Sequence, residues 1–147
     1  MIKTALIIIL QPKTVSTSQS IGLFLLRFVA GLAFMYHGWG KIQQPFEWMG
    51  PDSPMPGFLQ ALAAVAEFGG GLAWIVGLLT PIASLGLFCT MIVAVRLHML
   101  VLGHPFVAEK PGEMSYELAA LYLVISALFL LTGPGKISLD HLLFRKK

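Results

Sequence analysis

Charged residues inside long apolar stretches restrict the fold of this chain more than any other feature. Four segments made mostly of Leu, Ile, Val, Ala, Phe and Gly each contain or border one of them: Arg27, Glu67, Arg96 and Glu117. A charge in the hydrocarbon core of a bilayer costs roughly 2.5–3.5 kcal/mol. Such a group persists only if it pairs, reaches the interface or lines a polar cavity. The pattern therefore predicts an integral membrane protein with a polar site inside its helix bundle.

The composition agrees with a bilayer as the solvent. Of the 147 residues, 56% are hydrophobic and 12% are charged, whereas a soluble domain carries about 25% charged residues. Crossing a hydrocarbon core of ~30 Å takes about 20 helical residues. The chain has room for four such helices. We predict an all-α fold in which residues 21–147 form one four-helix transmembrane domain and residues 1–20 form a tail or interfacial segment.

The boundaries of the four spans follow from helix start and stop signals. Ser20 and Thr80 are expected N-caps, Pro81 suits a first helical position, and Gly133 with its neighbours Pro134 and Gly135 ends the last helix. The predicted spans are Ile21–Lys41, Gly57–Thr80, Pro81–Leu102 and Ser115–Thr132.

Basic residues predict the orientation. The two loops on one side of the membrane hold Lys41 and Lys110. The two terminal tails on the other side hold six basic residues: Lys3, Lys13, Lys136, Arg145, Lys146 and Lys147. The positive-inside rule then places both termini in the cytoplasm. The net charge of +3 is interpreted as a topology signal, and no nucleic-acid partner is predicted.

The depth of each polar residue, from a rise of ~1.5 Å per residue, predicts a site in the outer half of the bundle. Six residues are its candidates: His37, Lys41, Glu67, Arg96, His98 and Glu117. Histidines and carboxylates in a membrane are common proton-relay groups, so the expected site is a polar pocket for a quinone or a small oxyanion. Arg27 lies deeper, as a structural charge. The alternative is that the pairs Arg27–Glu67 and Arg96–Glu117 only fix helix packing.

Other cofactors find little support in the sequence. His37 and His98 could be axial ligands of a haem between two helices, but nothing beyond this pair favours it. A carboxylate-bridged metal site needs Glu-x-x-His motifs, but Gly70 and Ala120 stand at those positions, so no metal is predicted. The single cysteine, Cys89, excludes an internal disulfide and a thiol relay through a cysteine pair.

Glycines recur at a spacing of seven residues in the first two spans. They are Gly31, Gly38, Gly70 and Gly77. In a bilayer, small side chains let helix backbones approach closely. These glycines are therefore predicted to lie at helix contacts.

Several short motifs, weak one by one, occur in a distinctive order. They are Leu26-Arg27-Phe28 with Gly31, then His37–Lys41, Glu67–Gly70, Gly77–Thr80, Ala94–His98, Glu117 and the tail Thr132–Asp140. Together they resemble the DoxX family of small four-helix bacterial membrane proteins, from about residue 21 to residue 143. The resemblance implies a multi-pass protein of the bacterial inner membrane. It also implies a link to redox complexes, because some members are described as the small subunit of a thiosulfate:quinone oxidoreductase.

Three functions follow as hypotheses. The first is a redox-associated subunit in which Glu67 and His98 exchange protons while Lys41 and Arg96 hold negative charge. The second is a non-catalytic accessory subunit that packs against other membrane protein subunits within the lipid bilayer. The third is a small transporter or channel, although four helices leave little room for a pore unless the chain oligomerises, and the two halves show no inverted repeat.

Overall fold

The computed structural model of the protein describes residues 15–145. This range holds helices and no strands: α1 (Thr17–Gln43), α2 (Gly57–Val76), α3 (Thr80–Arg96), a π-helical turn (Leu97–Val101), α4 (Glu117–Thr132) and α5 (Leu139–Phe144). The predicted all-α fold is confirmed. Most of the predicted N-terminal segment, and the basic residues Lys3, Lys13, Lys146 and Lys147, lie outside the described residues.

Within residues 15–145, three helical segments are long and apolar enough to cross a bilayer. They are α1, α2 and the continuous segment Thr80–Val101, with 27, 20 and 22 residues. The fourth, α4, is apolar but has 16 residues, about 24 Å at 1.5 Å per residue. Such runs form helices in lipid because a helix satisfies every backbone hydrogen bond internally. We call the end where α1 and α3 finish the loop end of the bundle, and the opposite end the terminal end.

The predicted N-cap of the first span is wrong. Ser16 caps α1 in a capping box with Gln19, so the helix begins at Thr17. This arrangement satisfies two backbone N–H groups reciprocally. Ser20 instead lies buried in the first turn, where its hydroxyl donates to the Ser16 carbonyl at 2.9 Å. Its oxygen accepts a hydrogen bond from the backbone N–H of Lys136 at 3.2 Å.

The predicted cap of the third span is also wrong. The second helix ends at Val76, and Gly77 and Leu79 take left-handed backbone conformations with φ of 69° and 51°. Thr80 is the first residue of α3, and its hydroxyl has no hydrogen-bond partner among residues 15–145. The carboxylate of Asp140 caps the helix, accepting from the N–H groups of Leu79 and Thr80 at 2.7 and 2.8 Å.

An aromatic core holds the four long helices together. Trp74 lies at its centre, with ring centroids 5.5 Å from Phe34 and 4.8 Å from Phe129. Tyr122 packs on Phe34 at 4.7 Å. The indole N–H of Trp74 donates to the Ser84 hydroxyl at 2.9 Å, so this buried polar group is satisfied.

The helices α1 and α2 approach most closely where glycines face backbone. A Cβ added to Gly31 would lie 2.7 Å from the carbonyl oxygen of Gly71, and one added to Gly38 would lie 2.5 Å from the amide nitrogen of Phe68. Gly70 faces the side chain of Leu87 on α3 instead. Gly71 was not among the glycines predicted to lie at helix contacts. The short backbone distance brings the end of α1 onto the middle of α2.

Candidate functional site

A groove of about 720 Å³ lies between α2 and α3. Its lining is mostly apolar, and many of its side chains are small: Ala63, Ala66, Gly69, Gly70, Ala73, Ala83, Gly86 and Cys89. Several larger lining residues, including Leu62, Val65 and Ile82, are also exposed on the surface of the bundle. The groove therefore opens on the side that faces lipid in a membrane.

An ion pair lies in the lining of this groove. The ammonium of Lys41, at the end of α1, donates to both carboxylate oxygens of Glu67 at 2.6 and 2.7 Å. The Glu67 side chain is 4% exposed and that of Lys41 is 24% exposed. A buried carboxylate needs such a partner, because leaving one charge unpaired in a low-dielectric site is strongly destabilising. Lys41 also lies over the ring of Trp48, 4.4 Å from its centroid.

The loop between α1 and α2 is held against the groove by Gln60. Its side chain is buried, accepts from the N–H of Met49 at 3.0 Å and donates to the carbonyl of Met55 at 2.9 Å. Its backbone carbonyl accepts the indole N–H of Trp48 at 2.9 Å. Gln60 thereby fixes the aromatic ring that covers Lys41. Gln60 was not predicted as a site residue, although an amide in the first turn of an apolar helix is a signal that the sequence offers.

A histidine pair completes the polar part of the site. His98 lines the groove from the π-helical turn that follows α3. Its Nδ1 lies 2.9 Å from Nδ1 of His104, and the backbone N–H of His104 donates to the His98 carbonyl at 2.9 Å. Gly103, with φ of 65°, turns the chain back between them. π-helical turns recur at functional sites. His104, which lies in a loop, was not among the predicted site residues.

The structure separates the six predicted site residues into two groups. Lys41, Glu67 and His98 line one groove. The other three are exposed and do not line it: His37, Arg96 and Glu117. The sequence had placed all six in one pocket because helical periodicity gives the depth of a residue, not the neighbour that its side chain faces.

Neither predicted packing pair forms. Within residues 15–145 the structure records the ion pair Lys41–Glu67, and no ion pair between Arg96 and Glu117. Arg27 is 1% exposed and donates through Nη2 to the carbonyl of Ile137 at 2.5 Å. This guanidinium packs against Gly77. Arg27 thus belongs to the terminal end of the bundle, away from Glu67.

The terminal end is closed by the segment after α4. Asp140 donates its backbone N–H to the Gly77 carbonyl at 2.8 Å while its carboxylate caps α3. Arg27 holds Ile137 and Ser20 holds Lys136. We call Arg27, Asp140 and these backbone partners the terminal clamp. It explains why a buried arginine and the Thr132–Asp140 motif occur in one chain.

Comparison with known proteins decides the family. The DoxX family model matches residues 22–105. The chain belongs to the DoxX family. The matched range includes every residue that lines the groove, from Lys41 to His98, and also His104. The terminal clamp lies partly beyond it, because Asp140 follows residue 105.

Curated relatives extend over most of the chain. It is 35% identical to the inner membrane protein YqjF of Escherichia coli, over 87% of this chain and 96% of the relative. It is 31% identical to CatD of Bacillus subtilis, which carries the provisional name of an oxidoreductase, over 88% and 92%. An uncharacterized protein of Haemophilus influenzae is 31% identical over 84% and 92%. No solved structure matches at a significant level. The protein is a multi-pass protein of the inner membrane.

Proposed function

We propose that this protein is a redox-associated membrane subunit that binds a quinone in the groove between α2 and α3. The observation that carries the proposal is the lining of the groove. It is apolar over most of its length and includes a buried ion pair and one histidine. Pockets for small organic ligands are typically apolar with a few placed polar groups. The relative named as an oxidoreductase, CatD, agrees with a redox role.

The lining favours a quinone over a small oxyanion. An oxyanion needs uncompensated positive charge, but Lys41 is already neutralised by both oxygens of Glu67. Arg96 is exposed and lies outside the groove. A quinone headgroup needs only hydrogen-bond donors beside an apolar wall. Its isoprenoid tail is apolar and suits the part of the groove that Leu79 and Ile82 line, near the terminal end.

Each polar residue then has a role in the proposed site. The headgroup lies beside the Lys41–Glu67 pair and His98, and N–H groups of Lys41 and His98 donate hydrogen bonds to its carbonyl oxygens. Glu67 and His98 exchange the protons that accompany quinone reduction or quinol oxidation. Electrons pass to or from a partner protein in the same membrane. With both termini in the cytoplasm, as the basic residues predict, the polar part of the groove lies toward the outer face.

A second candidate is supported by the small residues of the same groove. Four small residues give the groove between α2 and α3 a smooth floor: Ala66, Gly69, Ala73 and Gly86. Small residues are typical of contacts between transmembrane helices. A helix of a partner subunit that packs there would make this protein an accessory subunit. The two candidates place different occupants in one groove, so they can be separated.

Cys89 offers a direct measurement of what occupies the groove. It is exposed, lines the groove and is the one cysteine of the chain. In nanodiscs, decylubiquinone should slow its modification by a maleimide if a quinone occupies the site. Glu67→Gln should weaken this protection about tenfold or more, which corresponds to about 1.4 kcal/mol. The control is Glu117→Gln, an exposed carboxylate outside the groove.

Two results would contradict the quinone site. One is a maleimide rate that decylubiquinone does not change. The other is equal protection in the wild type and in Glu67→Gln, with the variant shown by circular dichroism to be folded. If Cys89 is unreactive in native membranes, becomes reactive on extraction and ignores the quinone throughout, the occupant is a partner helix.

A further inference from the structure

The histidine pair has a hydrogen bond that limits how its protons are arranged. Nδ1 of His98 and Nδ1 of His104 are 2.9 Å apart, so one nitrogen donates and the other accepts. If both rings were protonated, two N–H groups would face each other. The pair therefore shares a single proton across this contact. In each ring Nε2 remains free, with no hydrogen-bond partner among the described residues.

The two rings lie at different places relative to the groove. His98 belongs to its lining, whereas His104 does not line it and lies in the loop between α3 and α4. Both rings are half-buried. The other charged groups in the lining are Lys41 and Glu67, which satisfy each other. Arg96, on α3 itself, is exposed. The pair is thus the imidazole connection between the groove and the loop end of the bundle.

We propose that His98 and His104 form a proton relay between a ligand in the groove and water at the loop end. The proposal rests on the quinone site proposed above for the identity of the ligand. His98 is the member that touches the headgroup. His104 is a relay residue that acts through His98. The ligand class is a quinone or quinol that gains or loses protons in the groove.

The net result of the transfer is that one proton moves from water to the ligand. Nε2 of His98 gives its proton to an anionic headgroup oxygen while Nδ1 of His98 takes the proton of His104 Nδ1. Nε2 of His104 takes a proton from water. The hydrogen bond between the rings survives with its direction reversed, and no electron moves. Run backwards, the same steps release a proton from the groove.

A coloured quinone tests the relay without electron transfer. A 2-hydroxy-3-alkyl-1,4-naphthoquinone changes its visible absorption when its hydroxyl group ionises. Bound to the protein in nanodiscs, it reports by stopped flow how fast a pH jump in the water reaches the groove. His104→Ala should slow this rate about tenfold or more, given the usual size of proton-transfer contributions. Its equilibrium affinity for the naphthoquinone should stay unchanged, and external imidazole should restore the rate.

Two further variants separate a relay from a structural role. Gln at position 104 can still donate one N–H to His98 but cannot pass a proton through a ring, so His104→Gln should be as slow as His104→Ala. His37→Ala replaces an exposed histidine outside the groove and should keep the wild-type rate. A cross-hydrogen-bond coupling between the two Nδ1 atoms in ¹⁵N-histidine NMR should be present in the wild type and lost in both variants at 104.

The outcomes distinguish the relay from the quinone site. If the naphthoquinone does not bind the wild type, the proposed quinone site fails, and the relay loses its ligand with it. If it binds and His104→Ala and His104→Gln keep the wild-type rate, the quinone site stands and the relay is wrong. A slow rate in His104→Ala that imidazole does not restore would also overturn the relay, because it would indicate altered packing.

Discussion

The two ends of the bundle each bury charged residues, but they use them differently. In the terminal clamp, the Asp140 carboxylate is 0% exposed and accepts from the N–H groups of Leu79 and Thr80. Arg27 is 1% exposed and donates to the carbonyl of Ile137. These bonds join backbone segments from distant parts of the chain. The clamp residues are therefore bound to the protein's own main chain.

The loop end has a pair of side chains that bond each other and border open space. Lys41 and Glu67 satisfy their charges mutually, and both line the groove. A buried charge is thus not by itself a sign of a binding site. The difference lies in what surrounds it: backbone groups that need a partner at one end, and a cavity that can take a ligand at the other.

The largest effect is expected at the clamp. Asp140→Ala leaves the backbone N–H groups of Leu79 and Thr80 without their acceptor, so the free energy of unfolding should fall by about 2–6 kcal/mol, at about 1–3 kcal/mol for each N–H group left unpaired. Unfolding by SDS in mixed micelles measures it. Asp52→Ala, in an exposed loop, is the control and should change little. If Asp140→Ala lowers the free energy of unfolding no more than Asp52→Ala does, the terminal clamp does not stabilise the protein.

A smaller effect is expected where α1 meets α2. Gly38→Ala places a Cβ 2.5 Å from the amide nitrogen of Phe68, and overpacking of this kind costs about 1–3 kcal/mol. Gly38 lies one turn before Lys41, so the shift should also weaken decylubiquinone protection of Cys89. Gly22→Ala, with no atom of the described residues within 4 Å of the added Cβ, is the matched control. Equal stability of the two variants would mean that the backbones are not in contact there.

Replacing both members of the loop-end pair should change stability less. Lys41→Met with Glu67→Leu removes two charges together, and the free energy of unfolding should stay within about 1 kcal/mol of the wild type or rise, because apolar replacements of a buried pair are often neutral or stabilising. Quinone protection of Cys89 should be lost. The corresponding change at the clamp, Arg27→Met with Asp140→Leu, should still destabilise, because Leu cannot cap α3. If both double variants change the free energy of unfolding equally, the charged residues have the same role at the two ends.

The sequence predicted the fold better than it predicted the partners of its charges. Hydropathy places helices well, since a bilayer allows little else, and the predicted starts of α2 and α3 agree with the structure to within a residue. The second span was drawn four residues too long, to Thr80, because Gly77 was assigned to helix packing although it ends α2 in a left-handed conformation. Thr80 was predicted as a cap because capping rules consider only residues close in sequence. The carboxylate that caps α3 belongs to Asp140, 60 residues further along the chain.

The candidate site was predictable only in part, for a related reason. Depth along a helix selected Lys41, Glu67 and His98, which do share the groove. It selected Arg96 equally, although that side chain is exposed. His104 and Gln60 escaped notice because their roles depend on a loop folding back onto a helix, and hydrophobic periodicity carries no information about that contact.

The smallest expected effect tests the origin of the α3 cap. The hydroxyl of Thr80 is buried and has no hydrogen-bond partner in the part of the chain that the structure describes, so Thr80→Val removes a polar group that makes no hydrogen bond there. The free energy of unfolding should stay unchanged or rise by about 1 kcal/mol or less, because burying an unpaired hydroxyl is unfavourable. Thr90→Val is the comparison: that hydroxyl donates to the Gly86 carbonyl at 3.0 Å, and its loss should not stabilise. If Thr80→Val instead destabilised the protein as a lost N-cap does, by about 1 kcal/mol, the hydroxyl would be capping α3. The helix α3 would then have two caps, Asp140 and Thr80, and the terminal clamp would depend less on the Asp140 carboxylate.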